Sequence, residues 1–261
     1  MRTHRLLAAT TLSVTAVALL AACGPEKSGG SDAAASAAAS ASASPLAATS
    51  SPAGPTPDEV LAKARAAGAK LGSVKITFSQ AAPGGRTTGA LSVDRAGNCT
   101  GTMTVEGSGG GQVVRNSDGD VWLKPDAAFL AGLDNPGGDT GLDDHWFLFP
   151  KAGANLGTEF TRFCDLALPV QETAGQAAFE SPVATGIKAK ALPVSVDGVN
   201  MLSFELFEGN KAGAPVLFST DAEPRLLSLE TGNGSNSMKF SEFDQPVRAV
   251  PPPSDQVIRT K

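Results

Sequence analysis

Hydrophobic and polar positions alternate with two different periods along this chain, and the change of period divides it into elements. From Val60 the apolar residues Val60, Leu61, Ala64, Ala67, Gly68 and Leu71 recur at helical spacing, one narrow and Ala-rich face. Thr56, Pro57 and Glu59 supply an N-cap, a first-turn proline and a capping box, and Gly72 supplies a stop. After it the period falls to two. Val74, Ile76 and Phe78 alternate with Lys75 and Thr77, the pattern of a strand with one buried face. A turn at Pro83-Gly84-Gly85 leads to Leu91 and Val93, and a turn at Ala96-Gly97-Asn98 leads to a third strand. There Cys99, Gly101, Met103 and Val105 share one face and three threonines share the other. Gly107 to Gly111 reads as a hairpin loop before Val113 and Val114, and Asp118-Gly119 is a strong hairpin signal into Val121-Trp122-Leu123.

Beyond that meander the pattern loosens and then returns. Pro125 to Leu133 predicts a short helix, Asp134 to Asp144 an acidic, Gly-rich loop, and Trp146 to Phe149 a compact strand. Asn155 to Leu168 has helical spacing, with Leu156, Phe160, Phe163 and Cys164 on one side. Strands resume at Leu192–Val196, turn at Asp197-Gly198, and continue through Val199–Phe207, Pro215–Ser219, Arg225–Glu230 and Ser237–Phe243; Pro246 to Pro253 is an extended exit. About ten strands joined by short turns and two or three helices predict an α+β domain built on an antiparallel sheet.

The first 55 residues belong to another class. Arg2, His4 and Arg5 precede a mostly apolar run from Leu6 to Leu20, the layout of a secretory signal peptide. The run ends in Leu20-Ala21-Ala22-Cys23, which resembles the lipobox of bacterial lipoproteins. The resemblance implies removal of residues 1–22, lipidation of the Cys23 sulfur and anchoring at the extracytoplasmic face of the cell membrane. The competing reading, a transmembrane helix, has only about fifteen apolar residues to span with. Residues 23–55, rich in Ala, Ser, Gly and Pro, form a disordered tether reaching on the order of 30 Å. The folded domain is expected over 56–258, about 205 residues with tether and signal removed, enough for one core.

Charge and chemistry narrow the function mainly by exclusion. With 21 Lys and Arg against 26 Asp and Glu, the chain is weakly acidic, has no basic cluster and offers no footprint for nucleic acid. Once Cys23 is set aside, Cys99 and Cys164 make an even pair, which in an exported domain reads as a disulfide ahead of two free thiols or a metal site. His145 is the one histidine after the signal, and no G-x-S-x-G elbow accompanies it, so no triad is marked. Asp134, Asp139, Asp143 and Asp144 do not fit a calcium loop, and the glycines at 107–111 lack the Lys and Ser/Thr of a phosphate loop. Paired carboxylates of a glycosidase have no signature of their own. No catalytic residue, metal or cofactor is predicted.

Several short motifs in order carry a family resemblance. They are the lipobox and tether, Gly72-Ser73-Val74-Lys75, the strand Gly101 to Val105, and Val121-Trp122-Leu123-Lys124 followed by Asp126-Ala127-Ala128-Phe129. Trp146 then heads a strand, and Phe240 to Val247 runs into Pro251-Pro252-Pro253 and Val257-Ile258. From Thr56 to Ile258 the chain resembles actinobacterial lipoproteins of the LppX/LprG type, similar in architecture to the LolA/LolB carriers. The resemblance implies a strongly curved antiparallel half-barrel wrapped over helices, an apolar cavity between them, and a lipid or glycolipid carried or presented there by a monomer. Val74, Ile76, Phe78, Leu91, Val93, Met103, Val105 and Trp122 are the expected lining, on common strand faces. The alternative is a lipoprotein with a filled core that presents a surface to a protein or polymer partner of the cell envelope.

Overall fold

The computed structural model describes residues 55–132, 142, 144–149, 155–175, 192–208, 211–231 and 234–259. The signal, Cys23 and the tether up to residue 54 lie outside the described residues, as do most of the acidic loop and the side chains of Leu156 and Phe160. The described chain contains three α-helices and one sheet of twelve strands.

Helix α1 (Pro57–Lys70) starts as its sequence predicts. The Glu59 N–H donates to Thr56 Oγ1 at 3.3 Å and the Thr56 N–H donates to Glu59 Oε2 at 2.9 Å. The Thr56 backbone N–H, and after it the Thr56 hydroxyl, hold the Glu59 carboxyl below the usual carboxylate range. It ends where expected, with Leu71 as C-cap directly before Gly72. Gly72 does not take a left-handed conformation, and the guanidinium of Arg95 satisfies the last carbonyls. Arg95 donates to the carbonyls of Leu71 (2.6 Å), Ala69 (2.7 Å) and Gly68 (3.0 Å), and its third nitrogen pairs with Glu172 at 2.8 Å. A cation on the last, otherwise unpartnered carbonyls is favourable both as hydrogen bonding and against the helix dipole. Arg95→Ala is therefore expected to cost about 2 kcal/mol, read as a lower urea midpoint. A midpoint unchanged from the parent would remove Arg95 from the cap.

Strands β1 (Ser73–Ala82), β2 (Gly85–Asp94), β3 (Cys99–Val105), β4 (Gly109–Arg115) and β5 (Val121–Pro125) form an antiparallel meander. Short helix α2 (Ala127–Gly132) follows, then β6 (Trp146–Phe149) beside β5. Helix α3 (Asn155–Glu172) precedes the second meander: β7 (Leu192–Val196), β8 (Val199–Glu208), β9 (Lys211–Ser219), β10 (Leu226–Thr231) and β11 (Asn236–Ser241). The two meanders join where β1 pairs with β11, Lys75 opposite Ser241 and Ser79 opposite Ser237. Finally β12 (Val257–Arg259) lies parallel to β6, which makes the sheet mixed and gives the order β12-β6-β5-β4-β3-β2-β1-β11-β10-β9-β8-β7.

Two features depart from the expected layout. Gly109, Gly110 and Gly111 are strand residues of β4 and not loop. Glycine is needed there because a Cβ at Gly109 would strike the backbone of α2 and one at Gly110 the backbone of β3. Asp126 fastens α2 to the same place, accepting from the N–H groups of Gly110 and Phe129, both at 2.8 Å. The second departure is β12, too short to show any period.

Past β11, Glu242 and Asp244 take left-handed backbone conformations, φ 48° and 58°. Asp244 thereby reaches back to accept the Gly72 N–H at 2.8 Å and to pair with Arg225 at 2.8 Å. The Gly72 N–H, then Arg225, hold its carboxyl below the ordinary range.

The sheet buries both faces unequally. One face, here the inner face, packs against α1 and α3 in a cluster drawn from ten strands, from Phe149 of β6 to Phe204 of β8. Among the described residues, a smaller cluster covers the outer face at β4–β6: Val114, Trp122 and Leu148, on which Trp146 and the C-terminal residues Ala249 and Val257 pack.

Candidate functional site

Registers across β1 to β6 and β11 arrange the inner face in rows. The first row holds Val74, Val93, Cys99, Arg115, Val121 and Phe149; the second holds Phe240, Ile76, Leu91, Gly101, Val113, Leu123 and Phe147. The third is Met238, Phe78, Gly89, Met103, Gly111 and Pro125, in which large and absent side chains alternate from Phe78 to Gly111. Phe78 fills the space over Gly89: a Cβ there would overlap its ring. From the helix side Phe163 of α3 stacks on Phe78, ring centroids 3.6 Å apart and planes 14° from parallel.

Seven of the eight residues expected to line a cavity lie on this face. Val74, Ile76, Phe78, Leu91, Val93 and Met103 are all buried in the inner cluster. Val105 continues the same side of β3 one row further out and is half-buried. Trp122 is not with them. It stands on the outer face against Val114 and Leu148, while its neighbours Val121 and Leu123 point inward. Of the third-row glycines, Gly111 was expected in a hairpin loop, and Gly89 carried no signal beyond a strand position left without a side chain.

Helix α3 is fastened to the sheet at several points. The disulfide Cys99–Cys164 joins it to the first residue of β3, with Cα atoms 5.9 Å apart. Asp165 pairs with Arg115 at 2.6 Å, Arg162 donates to Gln80 Oε1, and buried Gln171 donates to the Leu226 carbonyl at 2.9 Å. Helix α1 lies so close to the end of α3 that a Cβ on Gly68 would strike the Gln171 backbone.

Chemically the region is uniform. Among the described residues, Ser73, Thr161 and Gln171 are the buried polar side chains, and none of the three is charged. Charge sits on the rim, in the Arg95–Glu172 and Arg115–Asp165 pairs and in Arg162, whose guanidinium lies 4.9 Å from the Phe163 ring. His145 is half-buried, its N–H donating to the Leu142 carbonyl at 2.9 Å, and neighbouring Asp144 pairs with Lys124 at 3.0 Å. Among the described residues no group of three or more His, Cys, Asp or Glu converges as a metal site would require, and no helix is long and apolar enough to cross a membrane. Such a surface can exclude water and hold apolar matter.

No family model matches the chain, and no curated protein matches it. Among solved structures it is similar to LprF from Mycobacterium bovis, at 13% identity over 76% of this chain and 98% of that one, TM-score 0.46. It is also similar to MucB in complex with MucA(peri), at 12% identity and TM-score 0.30, and to the MucA/MucB complex of Pseudomonas aeruginosa, at 13% and 0.29. In both it spans 58% of the other chain and 76% of its own.

Proposed function

We propose that this chain is an extracytoplasmic lipoprotein, anchored to the membrane through Cys23, which binds an acylated lipid or glycolipid between its sheet and helices and carries or presents it. In this reading the sheet curves as a half-barrel around α1 and α3, and the ligand's acyl chains lie along the inner face. One observation supports it above the others: an apolar face continuous over ten strands, its charged groups confined to the rim, lies beneath two helices. Each CH₂ of an acyl chain withdrawn from water there gains about 0.8 kcal/mol. A site of that kind needs shape and dryness, with no particular side chain to do chemistry, and the reading assigns no catalytic step. A polar head group would remain at the rim, among Gln80, Thr87 and Arg162.

Native mass spectrometry of the protein purified from its own membranes, beside the Cys23→Ala form, tests the reading. Retention of a lipid of defined mass by the folded domain in both forms is expected. Met103→Trp, which thrusts a larger ring between Gly89 and Gly111, is expected to abolish retention while a cooperative thermal transition persists. A domain that arrives empty, takes up no added phospholipid or glycolipid and is indifferent to that substitution would end the carrier reading.

A further inference from the structure

The hairpin of β7 and β8 closes one edge of the sheet, and its burial runs against its composition. Leu192, Val196 and Val199 are 58%, 41% and 52% exposed. Register places them together: Val196 opposite Val199, Val194 opposite Met201, Leu192 opposite Ser203. Inward-facing Phe204 and Leu202 belong to the inner cluster, so the alternate positions Val199, Met201 and Ser203 face outward, and Leu192, Val194 and Val196 with them. Leu217 of β9, opposite Ser203, extends the patch. The second outer cluster, at β4–β6, lies at the far side of the sheet and does not reach it. From Leu192 to Phe204 the single charged side chain is Asp197, in the turn.

The free edge of β7 is blunted. Asp197 and Gly198, with φ 51° and 78°, make a two-residue turn in which Val196 and Val199 form a hydrogen-bonded pair. Alternation then turns the backbone groups of Ser195 and Pro193 outward, and Pro193 has no N–H to give. Proline at such a position is the usual guard against strand addition. The hairpin is therefore built to meet something with its face and not with its edge. The outward positions Leu192, Val194, Val196, Val199, Met201 and Ser203 carry no charge, Glu205 being the next outward residue of β8, and they lack the Trp, Tyr and Arg anchors that mark protein-binding hot spots. The chain also begins with an apolar segment and Cys23, and on the lipoprotein reading that anchor keeps the domain within a tether's length of a bilayer.

Resting on that reading, we propose that the outer face of the β7–β8 hairpin docks reversibly on the lipid surface, its aliphatic side chains settling at the boundary of head groups and acyl chains. The contact needs little intrinsic affinity, because the anchor makes it intramolecular.

The test uses the anchored protein in phosphatidylcholine vesicles. Val199→Cys carries an environment-sensitive fluorophore and Ser117→Cys serves as the control in the turn before β5; with Cys99 and Cys164 bridged and Cys23 lipidated on the reading above, no other thiol is free. The Val199 probe is expected to be quenched by spin labels on the acyl chains and shielded from aqueous iodide, and the Ser117 probe to show neither. Adding Leu192→Asp is expected to raise iodide access at position 199 about tenfold, the size of one aliphatic side chain withdrawn from lipid, with an unchanged melting temperature. Equal exposure of the two probes to water would overturn the proposal. So would shielding at 199 that grows with protein density and is untouched by acyl-chain quenchers, which would assign the face to a second copy. Retention of a carried lipid, read by mass, does not involve position 199, so failure here is distinct from failure of the carrier reading.

Discussion

Replacing Cys99 and Cys164 together by alanine is expected to lower the free energy of unfolding by about 4 kcal/mol. The bridge spans 65 residues of sequence, and chain-entropy arguments assign a closed loop of that length about that much restriction of the unfolded state. Its place in the fold makes the loss consequential: it ties α3 to the first residue of β3, with both sulfurs buried in the inner cluster. Urea unfolding followed by tryptophan fluorescence is the measurement. The midpoint should fall and the slope should rise, because the uncrosslinked chain exposes more surface when unfolded. Parent protein with the disulfide reduced should match the double variant. A difference under about 1 kcal/mol would mean that the ion pair of Asp165 with Arg115 and the bond from Gln171 hold α3 without the crosslink.

Phe163→Ala is the second large effect, a loss of about 4 kcal/mol. Phe163 is 2% exposed and is the side chain through which α3 meets the third row of the sheet, stacked on Phe78. Its removal leaves a cavity that neither neighbour can fill, since Phe78 already occupies the space over Gly89 and α3 is pinned at the adjacent Cys164. Phe163→Leu separates packing from stacking: volume is mostly kept, and a cost of about 1 kcal/mol is expected from the lost ring contact. Calorimetric melting of the two variants checks both figures. Equal losses for Ala and Leu would place the value of the site in the ring pair and not in its volume.

The fold was legible where one element answers to a short stretch of sequence. The capping box at Thr56 and Glu59, the strand alternation at Val74, Ile76 and Phe78, and the turns at Asp118-Gly119 and Asp197-Gly198 are local, and each stands where it was expected. The inner face was legible for the same reason: period two puts Leu91 with Val93 and Cys99 with Met103 whatever surrounds them. Trp122 shows where that logic stops. Val121, Trp122 and Leu123 are all apolar and all buried, because helices cover one side of β5 and the C-terminal segment covers the other, so the sequence there has no parity to read. The end of α1 stands before Gly72 as expected, but the cap on its last carbonyls was not legible, because Arg95 lies beyond the next hairpin. Strand order across the sheet was out of reach for a related reason, since β1 and β11 resemble several other candidate partners.

That last pairing also sets when the molecule becomes whole. Each meander is built from neighbours in sequence and can assemble by itself, but Lys75 must wait for Glu242, 167 residues later, before the halves join. Until β11 is delivered, β1 presents an open, apolar-sided edge, and contacts this remote in sequence are slow to form. Strand β11 thus acts as the clasp of the fold. A chain cut short before Asn236 keeps nearly all of its strands and leaves its central seam unpaired, as a sticky edge for the next chain.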